Sequence, residues 1–442
     1  MSSFAAESVL TRSPESQRLE LATGLGVTPT GLVESPVFFS GFLDRPDVAA
    51  SGLLAVADVA ASRYADAGLA ARLASMDPVV TAGGTCLRFE SFSACNGVHA
   101  RFDLLREGLG GGEVGFGTTN VDINPPLRKA LARVNRAEAM HLSVGRDELR
   151  ASSLAGTHVE RKVNLPERWV RGLAEVPALT AAMTRVAELR GPAIARFFST
   201  LPRVAPPGPS MNVLPMPSGW RLATRALPKS FPLPGVSRLR GADRIIRHAS
   251  RLAVYVNVNG TTAWVFDVPG GRFTLVLSPD PFRGFSGEGT LLTLLTDSDA
   301  ESHGRRVLAE LGWTPLVDPK DLAERTGLGP GKVASGLGWL AACGRLGYDL
   351  TEGAWFHREL PIDSDKVLRR NPRLASARKL LESGSIRDGS DGWKVEGSYG
   401  NRYTVTKQLR CDCAWGVEHD GNRGPCKHVL AAILTFRDSG LD

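Results

Sequence analysis

The chain has 442 residues, of which 43% are hydrophobic and 22% charged. That length holds two to four domains with cores of their own, and the composition excludes a disordered, collagen-like or disulfide-scaffold protein. The net charge of +7 is compatible with polyanionic partners, and 43 of the 53 basic residues are arginine, which suits bidentate phosphate or carboxylate contacts but also accompanies GC-rich bacterial coding.

No run of 18 apolar residues occurs, and 52–61, one of the longest apolar stretches, is interrupted by Asp58, so no membrane span is expected. The opening residues, Met1 to Glu7, lack a basic region followed by an apolar core. Cys86, Cys95 and Cys343 are scattered and read as reduced thiols. The expectation is a cytoplasmic protein.

Residues 1–35 carry turn formers without period and read as an irregular lead-in. Residues 36–203 read as a mixed α+β domain. Within it, 47–76 has helical spacing through Leu53, Leu54, Val56, Val59 and Ala60, while 87–92 and 98–104 alternate around an Asn96-Gly97 turn. A strand at about 114–123 follows Gly110-Gly111-Gly112, and an antiparallel sheet is expected. The glycine-rich 110–119 stretch lacks the Gly-Lys-Ser/Thr ending of a phosphate loop and runs into a strand, so its glycines read as turn residues. Asn120, Asp122 and Asn124 alternate and read as a solvated face. Helices are expected from Pro125 to about Arg136 and within 165–200, with a break at Gly191-Pro192.

Residues 204–250 are proline-rich and then basic, and read as a linker or surface wrap. Arg238, Arg240, Arg244 and Arg247 are its candidate contacts to phosphate or an acidic protein. Residues 251–285 read as a separate antiparallel meander, turning at Asn259-Gly260 and at Pro269-Gly270-Gly271.

From 286 to 362 the period is helical. A helix at 319–327, a glycine turn and a second helix with Val333, Leu337, Leu340 and Ala341 on one face precede a hairpin turning at Glu352-Gly353. The segment resembles a winged helix-turn-helix. The expected outward positions Lys332, Ser335, Gly336, Gly338 and Arg345 form a poor set for reading base edges, which leaves Lys332 and Arg345 as candidate backbone or partner contacts. Trp339 and Trp355 read as core.

Residues 363–391 read as a connector to a last unit, 392–442. There Cys411 and Cys413 lie two apart in an extended segment and face one side, and Cys426 and His428 open an apolar helix beside Pro425. Two short strands around Gly400-Asn401 precede them. Three thiols and one imidazole complete a tetrahedral zinc set, and four protein ligands leave no open position, so the site is expected to be structural. Lys427, between two ligands, is a candidate contact, and His419 reads as a loop histidine.

This Cys-x-Cys…Cys-x-His pattern, with a hairpin before it and a helix after it, resembles the SWIM-type zinc finger. The wider layout, through 38–42, 87–97 and 117–122, is similar to bacterial SWIM zinc finger family proteins. The resemblance implies one structural Zn2+ held by Cys411, Cys413, Cys426 and His428. It also implies binding to DNA, RNA or protein and no catalytic role. Protein partners implied are MoxR-type AAA ATPases and von Willebrand A-type proteins.

The expected function is therefore that of a non-enzymatic zinc-binding protein whose finger and winged-helix-like segment engage nucleic acid or protein. The alternative is an adaptor that docks such an ATPase system without binding nucleic acid. His99, His141 and His248 lack sequence-near partners, and no carboxylate pair stands beside a nucleophile, so no enzyme is expected.

Overall fold

A computed structural model describes residues 9–12, 17–20, 37–62, 64, 78–163, 165, 167–202, 211–280, 284–285, 292, 295–296, 299–311, 314–360, 371–397, 400–419 and 424–438. The fold is mixed α+β and multidomain, with antiparallel sheets. In the lead-in, Val9–Arg12 pairs with Gln17–Glu20; its other residues lie outside the described set, as do most of 63–76 and of 286–298.

The central sheet has eight strands. Their order is Thr184–Arg190, Arg251–Val256, Thr262–Val268, Gly271–Leu277, Val98–Leu105, Cys86–Phe92, Val79–Gly83 and Phe116–Asn120. The meander is therefore not a separate unit. Gly271–Leu277 pairs with Val98–Leu105, with Phe273 opposite Phe102. Both strands carry alternating apolar residues, so joining them covers two otherwise open edges. The boundary expected near 203 passes through the same sheet, because Thr184–Arg190 pairs with Arg251–Val256. A second, four-stranded sheet has the order Gly156–Arg161, Glu148–Ser153, His141–Gly145, Val37–Phe42.

One face of the central sheet is apolar. Leu87, Phe89, Ala100, Phe102 and Leu275 share a core with the helix Pro46–Ala61. The helix backbone lies against Phe102: a Cβ on Gly52 would stand 2.4 Å from the ring. The expected linker also belongs to this body. Met211–Met216, Gly219–Ala223 and Phe231–Leu233 form a small sheet, and Trp220 and Phe231 pack on Trp264 at 6.0 and 5.9 Å. These buried aromatic side chains outweigh the prolines around them, whose fixed φ suits edge strands and turns.

The opposite face is apolar around Phe92, Ala263 and Val276, which pack with Trp169, and is polar yet buried beyond them. Across three strands Arg272 stands opposite Asp103, which stands opposite Arg88; one step along, Thr274, Arg101 and Glu90 form a second row. The hairpin Leu346–Asp349/Ala354–His357 covers this face. Asp349 reaches Arg272 at 3.1 Å and Arg88 and Arg101 at 3.6 Å each, while Arg358 reaches Glu90 at 2.9 Å.

Before this hairpin come the helices Ala300–Leu311, Pro319–Thr326 and Pro330–Ala342. Asp318 caps the second by accepting from the Lys320 amide at 2.8 Å, and Gly327 ends it with φ +66°. Ser335, Gly336 and Gly338 are buried, not outward as expected. The reason is close helix packing, since a Cβ on Gly336 would meet the His303 carbonyl carbon at 2.9 Å. Trp355 is core, whereas Trp339 is half-buried against Gly304.

The last unit is larger than expected. The helix Pro372–Glu382 and the strand Ile386–Gly389, within the expected connector, belong to it; 363–370 lie outside the described residues. Ile386–Gly389 pairs with Gly392–Glu396, which pairs with Arg402–Thr406. Leu374 and Ala377 share a core with Val429 and Leu430 of the helix Lys427–Asp438, and that core continues into Ala342, Ala174 and Ala178.

Candidate metal centre

The strand Arg402–Thr406 and a tight turn set up the first pair of thiols. Leu409 takes φ +60° and the Thr406 amide donates to Arg410 O at 2.8 Å, which returns the chain so that Cys411 bridges to Val405. Asp412 points away and its Oδ1 accepts from the Thr404 amide at 2.9 Å, leaving Cys411 and Cys413 on the other side.

Two of the thiols sit where helices begin. Cys413 precedes the short helix Ala414–His419, and its Sγ accepts from the Gly416 amide at 3.3 Å. Cys426 precedes Lys427–Asp438, and its Sγ accepts from the Val429 amide at 3.4 Å. Both occupy the capping position, where amide donors and the positive helix end favour a thiolate. His428 lies two residues after Cys426, with its ring stacked on Tyr403 at 4.3 Å and 25°. Its Nε2 lies against Gly397, where a Cβ would come within 3.3 Å.

The four donor atoms lie within 4.8 Å of one another. Nδ1 of His428 is 3.7 Å from Cys411 Sγ and 3.9 Å from Cys426 Sγ. A tetrahedral ion with metal–sulfur distances of about 2.3 Å and metal–nitrogen of about 2.1 Å places sulfur and nitrogen roughly 3.6 Å apart. The residues therefore fit a metal ion. The ligands are 4–8% exposed, so a bound ion would be shielded from water. The Cys411 thiol contact holds Cys426 down to about 4 against burial, with His428 and the Val429 amide adding to it, whereas the same contact and burial push Cys411 up. His419 stands apart from the four and is not exposed, with its ring edge-on to Trp415 at 4.2 Å.

The other candidates are dispersed. Arg238 is 3% exposed and donates to the carbonyls of Ser278 at 2.6 Å, Gly97 at 3.2 Å and Pro234, and burial pulls it down to about 10. It is a structural cation and not a contact residue. Arg240 binds Leu201 O at 2.6 Å and Asp243 at 3.1 Å, Arg244 pairs with Asp58, and Arg345 pairs with Glu359 at 2.7 Å. Lys332 and Arg247 are exposed, and Lys427 is half-buried beside the cysteines.

Asn120, Asp122 and Asn124 do not form a solvated face. Asn120 is buried and donates to Val163 O, while Asn124 caps Pro125–Leu131 and donates to Glu160 at 2.8 Å. Burial, with Asp122 nearby, pushes Glu160 up to about 7. The sequence reading also missed partners for His99 and His248, which meet Glu90 at 3.2 Å and Ser51 at 3.1 Å. The period-two charges in 88–90, 99–103 and 272 were the available signal for the buried polar face.

No protein-family model matches this chain, and no curated protein matches it. Among solved structures, it is similar to the Proliferating Cellular Nuclear Antigen from Entamoeba histolytica at 7% identity and a TM-score of 0.37, covering 55% of this chain and 99% of that one. It is also similar to the PCNA2-PCNA3 complex from Sulfolobus tokodaii at 8% identity and a TM-score of 0.40, again covering 55% and 99%. A likeness of this degree carries no functional inference.

Proposed function

We propose that the chain is a non-enzymatic binding protein whose C-terminal unit is a SWIM-type finger closed by one structural Zn2+. The observation that carries this reading is the buried Cys411/Cys413/Cys426/His428 set with its donors within 4.8 Å. Three thiols and an imidazole suit zinc over the oxygen-seeking cations, and four protein donors leave no coordination site for a substrate. Zinc there would tie the turn after Arg402–Thr406 to the start of Lys427–Asp438, supplying folding free energy to a small core.

The target is nucleic acid or protein, met by the finger together with the winged-helix-like segment. The burial of Ser335, Gly336 and Gly338 favours protein over base reading, because base-edge hydrogen bonds need exposed polar side chains. MoxR-type AAA ATPases and von Willebrand A-type proteins are the partner classes carried from the resemblance. Binding to single-stranded DNA, duplex DNA and RNA, titrated with salt, tests the target: a steep loss of affinity with salt marks phosphate contacts, and no binding at low salt leaves protein.

A further inference from the structure

A cleft of about 260 Å³ opens between the helix Pro46–Ala61, the helix Pro125–Leu131 and the turn at 243–247. Leu54 and Leu131 contribute apolar lining, and Asp47, Ser51, Arg244 and Arg247 contribute polar lining.

Ser51, His248 and Asp47 superficially have the order of a nucleophilic triad, with Ser51 Oγ 3.1 Å from His248 Nε2 and His248 Nδ1 3.9 Å from Asp47. Their hydrogen bonds argue otherwise. The Ser51 hydroxyl donates to the Asp47 carbonyl at 2.7 Å, within its own helix. His248 Nε2 accepts from Arg247 Nε at 2.9 Å, so the lone pair a general base needs is taken. Arg247 Nη2 also donates to Ser51 Oγ, at 2.9 Å. Ser51 and His248 thus hold a guanidinium by two of its donors, and its other donors meet no acceptor among the described residues.

The carboxylates of the cleft are already paired. Asp47 is bound by both prongs of Arg45 at 3.0 and 2.9 Å, and Asp243 pairs with Arg240 at 3.1 Å. Asp58 takes both Arg128 and Arg244. The lining itself carries Arg244 and Arg247 against Asp47 and Asp243, and Arg247 alone of these four has no partner of opposite charge among the described residues. His248 is kept neutral by burial and by the Arg247 charge, which preserves it as an acceptor.

We propose that this cleft binds a phosphate-type oxyanion, with the free edge of Arg247 as its main donor and Arg244 beside it. A guanidinium fixed at two donors presents the rest in the fork geometry that suits such an anion, and its orientation is set before binding. The site is independent of the metal centre, and the two readings fail separately.

The test is calorimetric titration of the full chain with inorganic phosphate, against sodium chloride of equal ionic strength, for wild type, Arg247→Gln and Arg247→Lys. Wild type is expected to saturate. Arg247→Gln is expected to weaken binding by about ten- to hundredfold, the worth of one or two charge-assisted hydrogen bonds, and Arg247→Lys by less. Thermal melting checks that both variants remain folded, which the exposure of Arg247 favours. A parallel titration with adenosine monophosphate distinguishes sources: tighter binding marks the phosphate of a larger ligand, and equal binding a free anion. No saturation in wild type, or equal saturation in Arg247→Gln, overturns the proposal.

Discussion

Arg358 Nη1 donates to Glu90 Oε2 at 2.9 Å, joining two residues 268 apart in the chain. The guanidinium is fully buried, and its Nη2 donates to Leu173 O at 2.8 Å and Leu346 O at 3.0 Å. One side chain thus ties the central sheet, the helix Glu167–Ala181 and the hairpin that follows the helical segment.

Arg358→Met is expected to destabilise the fold by about 3–5 kcal/mol, because it strands a buried carboxylate. Adding Glu90→Gln should recover part of that loss. Urea unfolding of the two single variants and the double variant measures the coupling. Burial alone would raise Glu90, but the Arg358 charge and the His99 bond hold it far below the ordinary carboxylate range. Its contribution is fully present above that range and is lost as the pH falls from that range through the lower folded value, so the wild type should lose more stability on acidification than the double variant.

Glu160 has the opposite sign. Its folded value of about 7 lies above the ordinary 4.5, so the folded state holds the proton more tightly and stability falls as the pH rises from about 4.5 to 7. Glu160→Gln should flatten that dependence, matching wild type near pH 4 and exceeding it near pH 8. Melting temperature against pH reads this directly, and parallel curves for the two proteins would count against the buried acid.

Gly336→Ala tests the helix packing. Alanine is favoured in a helix interior by about 1 kcal/mol, yet here its Cβ would meet His303 backbone that has little room to move. A net destabilisation of about 1–3 kcal/mol is expected in urea. A stabilised variant would mean that the two helices are not in close contact.

The clustering of three thiols and one imidazole was legible because all four donors fall within 18 residues and local structure places them: a turn for one pair, a helix start for the other. The antiparallel strands at 87–92 and 98–104 were legible for the same reason, since alternation and an Asn-Gly turn act locally. What local pattern could not give was the partner of each edge. The pairing of Gly271–Leu277 with Val98–Leu105 spans more than 160 residues, and many alternating strands would have met the same requirement. Arg238 shows a second limit. It lies in a basic run that reads as a solvated charge stripe, and only the fold shows that three carbonyls surround it.

The shared core of the last unit and the helical segment makes a further prediction. Because Leu430 and Val395 pack in one cluster with Ala342 and Ala174, removal of metal by a chelator should raise amide exchange across 371–438 and at the end of Pro330–Ala342. The central eight-stranded sheet should keep its protection. Hydrogen exchange followed by mass spectrometry resolves these regions, and unchanged exchange in 371–438 would show that the unit folds without metal.

The most direct measurement is the metal content of the purified full chain, by inductively coupled plasma mass spectrometry, for wild type, Cys426→Ser and His428→Ala. The account predicts one zinc per wild-type chain and well under one in each variant. Folded wild-type protein that carries no zinc, and takes none up when it is supplied, would contradict it.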